Sequence, residues 1–426
     1  MKFIYISLLF LLPLGTLAQS VPQPADAQSQ PIMLLGATIH LGNGEVLESA
    51  DILLEDGKIV EVGTITRAYK NARSIDCSGK HIYPGMILIG SSLGLVEIGA
   101  VRPTRDQSEV GALNANARAL VAYNTDSRVT PTVRSNGIMM AQVAPSSGLF
   151  SGTSSVMQLD AWNYEDAAIK ADDGVYLNWP RLSISNSSFA PPRAKQEERI
   201  KTSVARIYQS FRDAAAYGLA SENDKLEASD LHLAALVPVL KKERKLYIRA
   251  STEKQILAAV ALVQEFDIEI VIFGGKEAHL QAELLAEYNI PVVITKLHDL
   301  PRMEDDDIDA VYSLPYKLQQ AGVLYALTMT SNWDCRNLPF QAGTAAAYGL
   351  TQAEALAAVT ANPAKILGLE DQCGTLEVGK DATLIVSEGD VLDMRTSNVI
   401  HAFIQGREIN LGNKQKDLYE KFKTRY

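Results

Sequence analysis

The fold is decided by the stretch LYIRASTEKQILAAVALVQEFDIEIVIFGGKEAHLQAELLAEYNIPVVIT, residues 246–295. Its pattern predicts a strand, a helix, a strand, a helix and a strand. The three strand segments, 246–250, 268–273 and 291–295, are almost wholly apolar, which is typical of parallel strands buried on both faces. A closed barrel and an open sheet both satisfy this pattern. The stretch therefore predicts an α/β fold with a parallel sheet.

The two ends of the chain have a different texture. Short strands separated by tight turns occupy 32–85, including a hairpin turn at Glu55-Asp56-Gly57-Lys58, and the same texture returns at 372–412. We expect these two segments to form one small composite β-sandwich around a barrel at 86–371. Within the barrel, a charged and mostly helical excursion is expected at about 191–245, and 413–426 is a C-terminal tail.

The composition argues against a nucleic-acid partner and against a fold held by disulfide bonds. The chain has 426 residues, 47% of them hydrophobic, and a net charge of -10. An acidic chain without a basic block is not expected to bind nucleic acid. Three cysteines are too few for a disulfide framework.

The first residues predict export. Met1 and Lys2 precede an apolar run, 3–17, and the small-residue site Thr16-Leu17-Ala18. This arrangement is typical of a cleavable secretory signal at 1–18, followed by a flexible leader at 19–31. We expect a periplasmic or secreted protein, with no integral membrane segment after signal cleavage.

Several blocks resemble one family in the same order along the chain. They are GKHIYPG (79–85), the region 148–180, Glu277-Ala278, LPRMEDD (300–306), NPAKILGL (362–369) and GTLEVGKDA (374–382). Together they resemble the amidohydrolase superfamily, in its imidazolonepropionase and prolidase-like branch. The resemblance implies a (β/α)8 TIM-type barrel with a composite β-sandwich, and hydrolysis of carbon-nitrogen bonds other than peptide bonds.

The resemblance also implies a metal centre of zinc or another divalent metal, which activates water at the C-terminal ends of the strands. The family's ligands are His-x-His on the first strand, a histidine on each of two later strands, and an aspartate on the last. The corresponding residues here are Gly90, Ser92, Arg249, Gly274 and Thr330. None of them supplies a metal ligand of the usual kind, and an arginine repels cations. We therefore expect no bound metal, no cofactor and impaired catalysis.

Six residues are candidates for ligand binding, because loops at strand ends carry function in barrels. They are Glu97, Arg102, Arg105, Asp106, Arg249 and His298. They predict a small anionic or zwitterionic ligand, although the charges at 97–109 also fit a solvated network of surface ion pairs.

Two functions remain open. The first is a ligand-binding protein or a partner subunit, assembled with a paralogous amidohydrolase or with a second copy of itself. The alternative is an active hydrolase of cyclic amides or prolyl dipeptides that uses a non-standard site. Such a site could draw on Cys335 as a nucleophile with His298 as its base.

One acidic run also has two interpretations. Asp305-Asp306-Asp307 with Asp309 could bind a hard cation such as calcium, or could be an ordinary charged loop.

Overall fold

The computed structural model describes residues 23–67, 69–226, 228–301 and 306–425, which form two sheets and their covering helices. The strands are β1 Ile32–His40, β2 Val46–Glu55, β3 Lys58–Gly63, β4 Arg73–Asp76, β5 His81–Pro84, β6 Met86–Ser91, β7 Ile138–Val143, β8 Phe150–Gln158, β9 Ala168–Asn178, β10 Lys245–Ala250, β11 Ile270–Gly274, β12 Val292–Thr295, β13 Tyr325–Thr328, β14 Leu384–Ser387, β15 Val399–Ile404 and β16 Arg407–Glu408. The helices are α1 Ala119–Ala122, α2 Thr130–Arg134, α3 Tyr164–Ala167, α4 Arg193–Glu222, α5 Leu231–Leu240, α6 Glu253–Phe266, α7 Ala282–Glu287, α8 Ala310–Gln320, α9 Leu338–Ala347, α10 Gln352–Ala357, α11 Ala361–Leu367 and α12 Lys414–Lys423. Short 3-10 turns lie at Arg102–Thr104, Ala278–Gln281 and Asp334–Asn337.

One of the two sheets is a nearly closed barrel of eight strands, β6 to β13, which lie side by side in chain order. Its two edges meet where Ser92 N donates to Thr330 O at 3.0 Å and Ile89 N donates to Thr328 Oγ1 at 3.0 Å. The predicted α/β barrel is confirmed. The strands β9 to β13 are parallel, as the 246–295 stretch predicts.

One strand differs from the regular (β/α)8 pattern. The strand β8 is antiparallel to both β7 and β9. Its connections are too short to hold the crossover helix that parallel strands require, and the connection from β8 to β9 contains only the four-residue α3. This side of the barrel is covered by α4 and α5, the predicted helical excursion. Phe211 of α4 packs against Phe150 of β8, with ring centroids 5.9 Å apart.

The local signals around the parallel strands explain where the helices begin and end. Thr252 and Gln255 form a capping box at the start of α6. The helix ends at Asp267, which has a left-handed φ of 51°. A second capping box, Thr351 with Glu354, opens α10. The helix α11 begins at Ala361, with Thr360 as its N-cap residue.

The helix α11 closes the N-terminal end of the barrel. Its apolar residues join the core that fills the barrel interior. Two lysines satisfy carbonyl groups at its C-terminus: Lys170 Nζ donates to Leu367 O and Lys245 Nζ donates to Ile366 O, both at 2.7 Å. Cations at this end also interact favourably with the helix dipole.

The other sheet contains strands from both ends of the described chain, in the order β16-β15-β14-β5-β1-β2-β3, with β4 paired to β1. Its strands are joined by hydrogen bonds into one eight-stranded sheet with its own core, a composite β-structure built from both ends of the described chain. The predicted signal, 1–18, lies outside the described residues. In the described part of the predicted leader, Gln28 Nε2 donates to Leu54 O and Gln28 Oε1 accepts from Gly57 N.

No helix among the described residues combines the length and the apolar character needed to cross a bilayer.

Two histidines, His40 of β1 and His81 of β5, line a small cavity that α10 also lines. His40 Nε2 and His81 Nδ1 are 3.1 Å apart, and the His40 ring stacks on Tyr83 at 4.3 Å. A hydrogen bond between two imidazoles requires a lone pair on one of them, so both rings cannot be protonated while it persists. Burial, followed by the charge of His81, lowers the pKa of His40, while Asp390 and Glu48 oppose this shift.

We expect this pair to make the protein less stable in acid. A pKa that is lower in the folded state than in the unfolded state gives stability that is present above the unfolded value, about 6.5, and is lost as the pH falls through the folded value. The variant His40→Gln should lose less thermal stability than the wild type between pH 7.5 and 5.5, measured by circular dichroism. Equal losses in both proteins would contradict this role of His40.

Candidate active site

A cavity of about 550 Å³ opens at the C-terminal ends of the barrel strands. All five residues that the resemblance aligns with metal ligands line it, namely Gly90, Ser92, Arg249, Gly274 and Thr330. The other described lining residues are Val96, Gly99, Arg105, Gln107, Ala144, Ser146, Ser251, Phe273, Thr295, Ser331 and Asn332. The alignment made from sequence therefore selects residues that meet in space. No acidic side chain or histidine of the described residues is among them.

Arg249 dominates the electrostatics of this cavity. Its Nη1 donates to Ser151 Oγ and Asn178 Oδ1, both at 3.1 Å, and its Nη2 donates to Pro145 O at 2.8 Å. All three acceptors are neutral. Burial lowers the pKa of Arg249, yet a guanidinium stays protonated at neutral pH. Within the described chain no carboxylate forms an ion pair with it, so this positive charge has no counter-charge among the described residues.

The guanidinium lies on a floor of aromatic rings. Its central carbon is 4.5 Å from the ring centroid of Tyr176 and 5.6 Å from that of Phe273. Contact with ring faces stabilises a cation most where water is excluded. Tyr176 in turn stacks on Tyr247 at 4.9 Å, with the rings nearly parallel. These rings fill the barrel interior directly beneath the cavity.

The same rings occupy the space that a side chain at position 90 needs. Gly90 has a φ of +67°, in the left-handed region that favours glycine. A Cβ built on Gly90 would lie 2.5 Å from Phe273 Cε2 and 2.6 Å from the Tyr176 hydroxyl. At Gly274, with a φ of +109°, a Cβ would lie 2.7 Å from Ser251 Oγ. Gly90 has no room for an imidazole, and a side chain at Gly274 would be strained by its φ and would require Ser251 Oγ to move.

The residues at this mouth do not fit the metal centre that the resemblance implies. Two of the five positions are glycines in the left-handed region of φ, where a side chain is strained, and at Gly90 the aromatic rings also occupy the space that a side chain needs. Two are neutral hydroxyls, and Ser92 Oγ already donates to Thr330 O at 3.0 Å. The fifth is the unpaired Arg249 cation, which repels a divalent ion. In the described part of the chain, no group of three or more His, Cys, Asp or Glu side chains is arranged to bind a metal.

A buried polar network supports the floor from below, and the sequence did not reveal it. Gln142 Oε1 accepts from the Tyr176 hydroxyl at 2.6 Å and from Gly90 N at 3.0 Å. Gln142 Nε2 donates to Asp173 Oδ2 at 2.6 Å, and Lys170 Nζ pairs with Asp173 Oδ1 at 2.7 Å. The one available signal was a glutamine inside the apolar strand 138–143. A buried amide needs partners, so Gln142 indicated a polar contact inside the barrel.

The predicted ligand-binding residues separate into two groups. Arg105 and Arg249 line the cavity. Glu97, Arg102 and Asp106 do not line it: Glu97 accepts from Asn124 Nδ2 at 3.2 Å, and Arg102 is exposed on the loop. Apart from Arg249, the predicted residues named here lie on the loop that connects β6 to β7. Because only Arg105 of that loop's charged residues lines the cavity, only part of the predicted charged cluster faces the mouth.

His298 and Cys335 do not form the catalytic pair considered from sequence. His298 Nε2 contacts Thr344 Oγ1 at 2.6 Å, and burial lowers the pKa of this histidine. Cys335 is buried, its Sγ lies 3.0 Å from Asn332 O, and burial raises its pKa to about 12. A thiol with such a pKa is a poor nucleophile at neutral pH.

The calcium alternative is not supported by an assembled site. Asp305 lies outside the described residues, and Asp306 and Asp307 line a separate cavity that also contains Lys276 and Lys317.

A larger cavity, of about 940 Å³, lies at the N-terminal end of the barrel. Barrels of this kind keep their chemistry at the opposite end.

Substituting Gly90 tests the packing of the floor. The variant Gly90→Ala should lose thermal stability through overpacking, which typically costs about 1–3 kcal/mol, beyond the cost of a left-handed alanine. Gly79→Ala is the matched control, because Gly79 has a similar φ of +72° and no atom lies within 4 Å of the position that its Cβ would take. Equal denaturant midpoints for the two variants would show that the rings leave room at Gly90.

Comparison with known proteins agrees with this architecture. Residues 316–409 match the model of the amidohydrolase family. Amidohydrolase tasK of Hapsidospora irregularis is 34% identical over 118 residues, which are 25% of this chain and 12% of the length of that relative.

Solved structures extend the similarity to most of the chain. An amidohydrolase from Thermotoga maritima is 28% identical, with a TM-score of 0.78, over 89% of this chain and 99% of that one. A prolidase complexed with N-methylphosphonate-L-proline is 17% identical, with a TM-score of 0.54, over 89% of this chain and 100% of that one. An adenosine deaminase from Xanthomonas campestris with bound zinc is 15% identical, with a TM-score of 0.52, over 95% and 99% of the two chains. The last two similarities show the fold alone. The chain therefore contains an amidohydrolase family domain, and its structural neighbours lie in the amidohydrolase superfamily, with prolidase-like structures among them.

Proposed function

We propose that this chain is a ligand-binding member of the amidohydrolase superfamily that has lost metal-dependent hydrolysis. Its ligand is a small anion with a carboxylate, held at the barrel mouth by Arg249. The single observation that carries the proposal is the unpaired Arg249 cation, which lies where the superfamily resemblance places a metal-binding histidine.

The hydrogen bonds of Arg249 favour a carboxylate as the ligand. A guanidinium has five N–H groups, and three of them donate to Ser151, Asn178 and Pro145. The Nε–H and one N–H of Nη2 have no acceptor among the described residues. Nε and Nη2 lie on one edge of the guanidinium, and two donors on one edge match the two oxygens of a carboxylate.

The loss of hydrolysis follows from the chemistry of the lining. A hydrolase without a metal needs a nucleophile with a base within hydrogen-bonding reach. Ser92 is the hydroxyl at the first-strand position, but its Oγ donates to Thr330 O. The only titratable side chains among the described lining residues are the two arginines, and an arginine does not act as a base at neutral pH. Assembly with another amidohydrolase subunit or with a second copy stays a prediction, as does export.

Binding of monocarboxylates to variants of Arg249 tests the proposal. We expect propionate and butyrate to bind the wild type and to bind Arg249→Gln about 10- to 100-fold more weakly, because a hydrogen bond to a charged group contributes about 1.5–3 kcal/mol. Arg249→Lys keeps the charge but loses the two-donor edge, so it should fall between them. Titration calorimetry measures all three affinities, and thermal midpoints verify folding.

The control is Arg244→Gln, which removes an arginine next to the same strand. Arg244 lies near Asp172, with Nη2 3.8 Å from Oδ2, and does not line the cavity. Unchanged monocarboxylate affinity in Arg249→Gln would contradict the binding role.

The alternative of an active hydrolase is tested with imides, lactams and prolyl dipeptides, with and without zinc or manganese. Metal-dependent turnover that stays with this protein through further purification would contradict the loss of hydrolysis.

A further inference from the structure

The barrel mouth contains a second arginine besides Arg249. Arg105 lies on the loop after β6 and lines the same cavity. Its Nη1 donates only a long hydrogen bond, to Gly99 O at 3.5 Å. Neither arginine has an ion pair with a carboxylate in the described ranges. Two cations in one cavity repel each other, and the repulsion is stronger where water is partly excluded.

The rest of the polar lining is neutral. It consists of the hydroxyls of Ser92, Ser146, Ser251, Thr295, Thr330 and Ser331 and the amides of Gln107 and Asn332. These groups donate or accept hydrogen bonds but carry no charge. An ammonium group on the ligand would meet two arginines and, among the described lining residues, no carboxylate. The lining therefore opposes the zwitterionic ligand that the sequence had left open.

We propose that the ligand is a small dicarboxylate, with one carboxylate on Arg249 of β10 and the other on Arg105 of the loop. This inference rests on the proposed function, because it specifies the ligand of the same site. The two cations come from different parts of the barrel mouth, so two separate negative charges neutralise them better than one. The neutral hydroxyls and amides between them suit a short polar ligand body.

The experiment compares matched ligands by titration calorimetry in a buffer whose only small anion is chloride. Succinate, glutarate and adipate are compared with butyrate, glutamate and inorganic phosphate. We expect one dicarboxylate to bind at least about tenfold more tightly than butyrate, which corresponds to about 1.4 kcal/mol. Glutamate, which is glutarate with an ammonium group, should bind more weakly than glutarate. Phosphate, whose charge is on one centre, should bind more weakly than the best dicarboxylate.

Variants of the loop assign the second carboxylate. Arg105→Gln should remove most of the advantage that the best dicarboxylate has over butyrate, whereas Arg105→Lys should keep most of that advantage. Arg102→Gln is the control, because Arg102 is on the same loop but does not line the cavity. A dicarboxylate preference that persists in Arg105→Gln would overturn the inference. So would tighter binding of glutamate than of glutarate, or of phosphate than of every dicarboxylate.

The outcomes for the two proposals differ. If butyrate binds through Arg249 and dicarboxylates gain nothing, the ligand class proposed here is wrong and the proposed function stands. If none of these anions binds to correctly folded wild-type protein, the proposed function is itself wrong, and the dicarboxylate inference is overturned with it.

Discussion

The contact between the Arg249 guanidinium and the rings of Tyr176 and Phe273 organises the C-terminal end of the barrel. The cation needs the ring faces because its described hydrogen-bond acceptors are all neutral. The rings, in turn, need a glycine at position 90, because a larger residue would overlap them. The charge of the cavity, its shape and the conformation of β6 are therefore parts of one arrangement.

This arrangement extends downward through the barrel. The Tyr176 hydroxyl and the Gly90 N–H share Gln142 Oε1 as their acceptor, and Gln142 connects them to Asp173. Lys170 neutralises that carboxylate and also donates to the C-terminus of α11. A satisfied polar network of this kind fixes the position of the groups it connects. Introducing a single histidine at the mouth would therefore not rebuild a metal site, because this network and the rings of Tyr176 and Phe273 would remain.

The sequence predicted what depends on local pattern. The apolar strands at 246–295 and the excursion that covers the barrel side could be read from spacing alone. The resemblance supplied the correspondence of Gly90, Ser92, Arg249, Gly274 and Thr330, which do meet in one cavity.

Features that depend on contacts between distant strands could not be read in the same way. The antiparallel direction of β8 depends on how short connections pair strands that look alike in sequence. The aromatic floor joins Tyr176 and Phe273 from different strands, and nothing in either local pattern shows which residue they face. The same holds for the loop after β6, where only Arg105 of the charged cluster lines the mouth.

The central claim is that a guanidinium, and not a metal ion, occupies the charge centre of this barrel. Anomalous diffraction from crystals soaked in zinc, recorded above and below the zinc absorption edge, tests it most directly. We expect no anomalous peak in the cavity between Gly90, Ser92 and Thr330, and Arg249 density over the ring of Tyr176. An ordered zinc ion in that cavity, with Arg249 displaced from the ring, would contradict the claim.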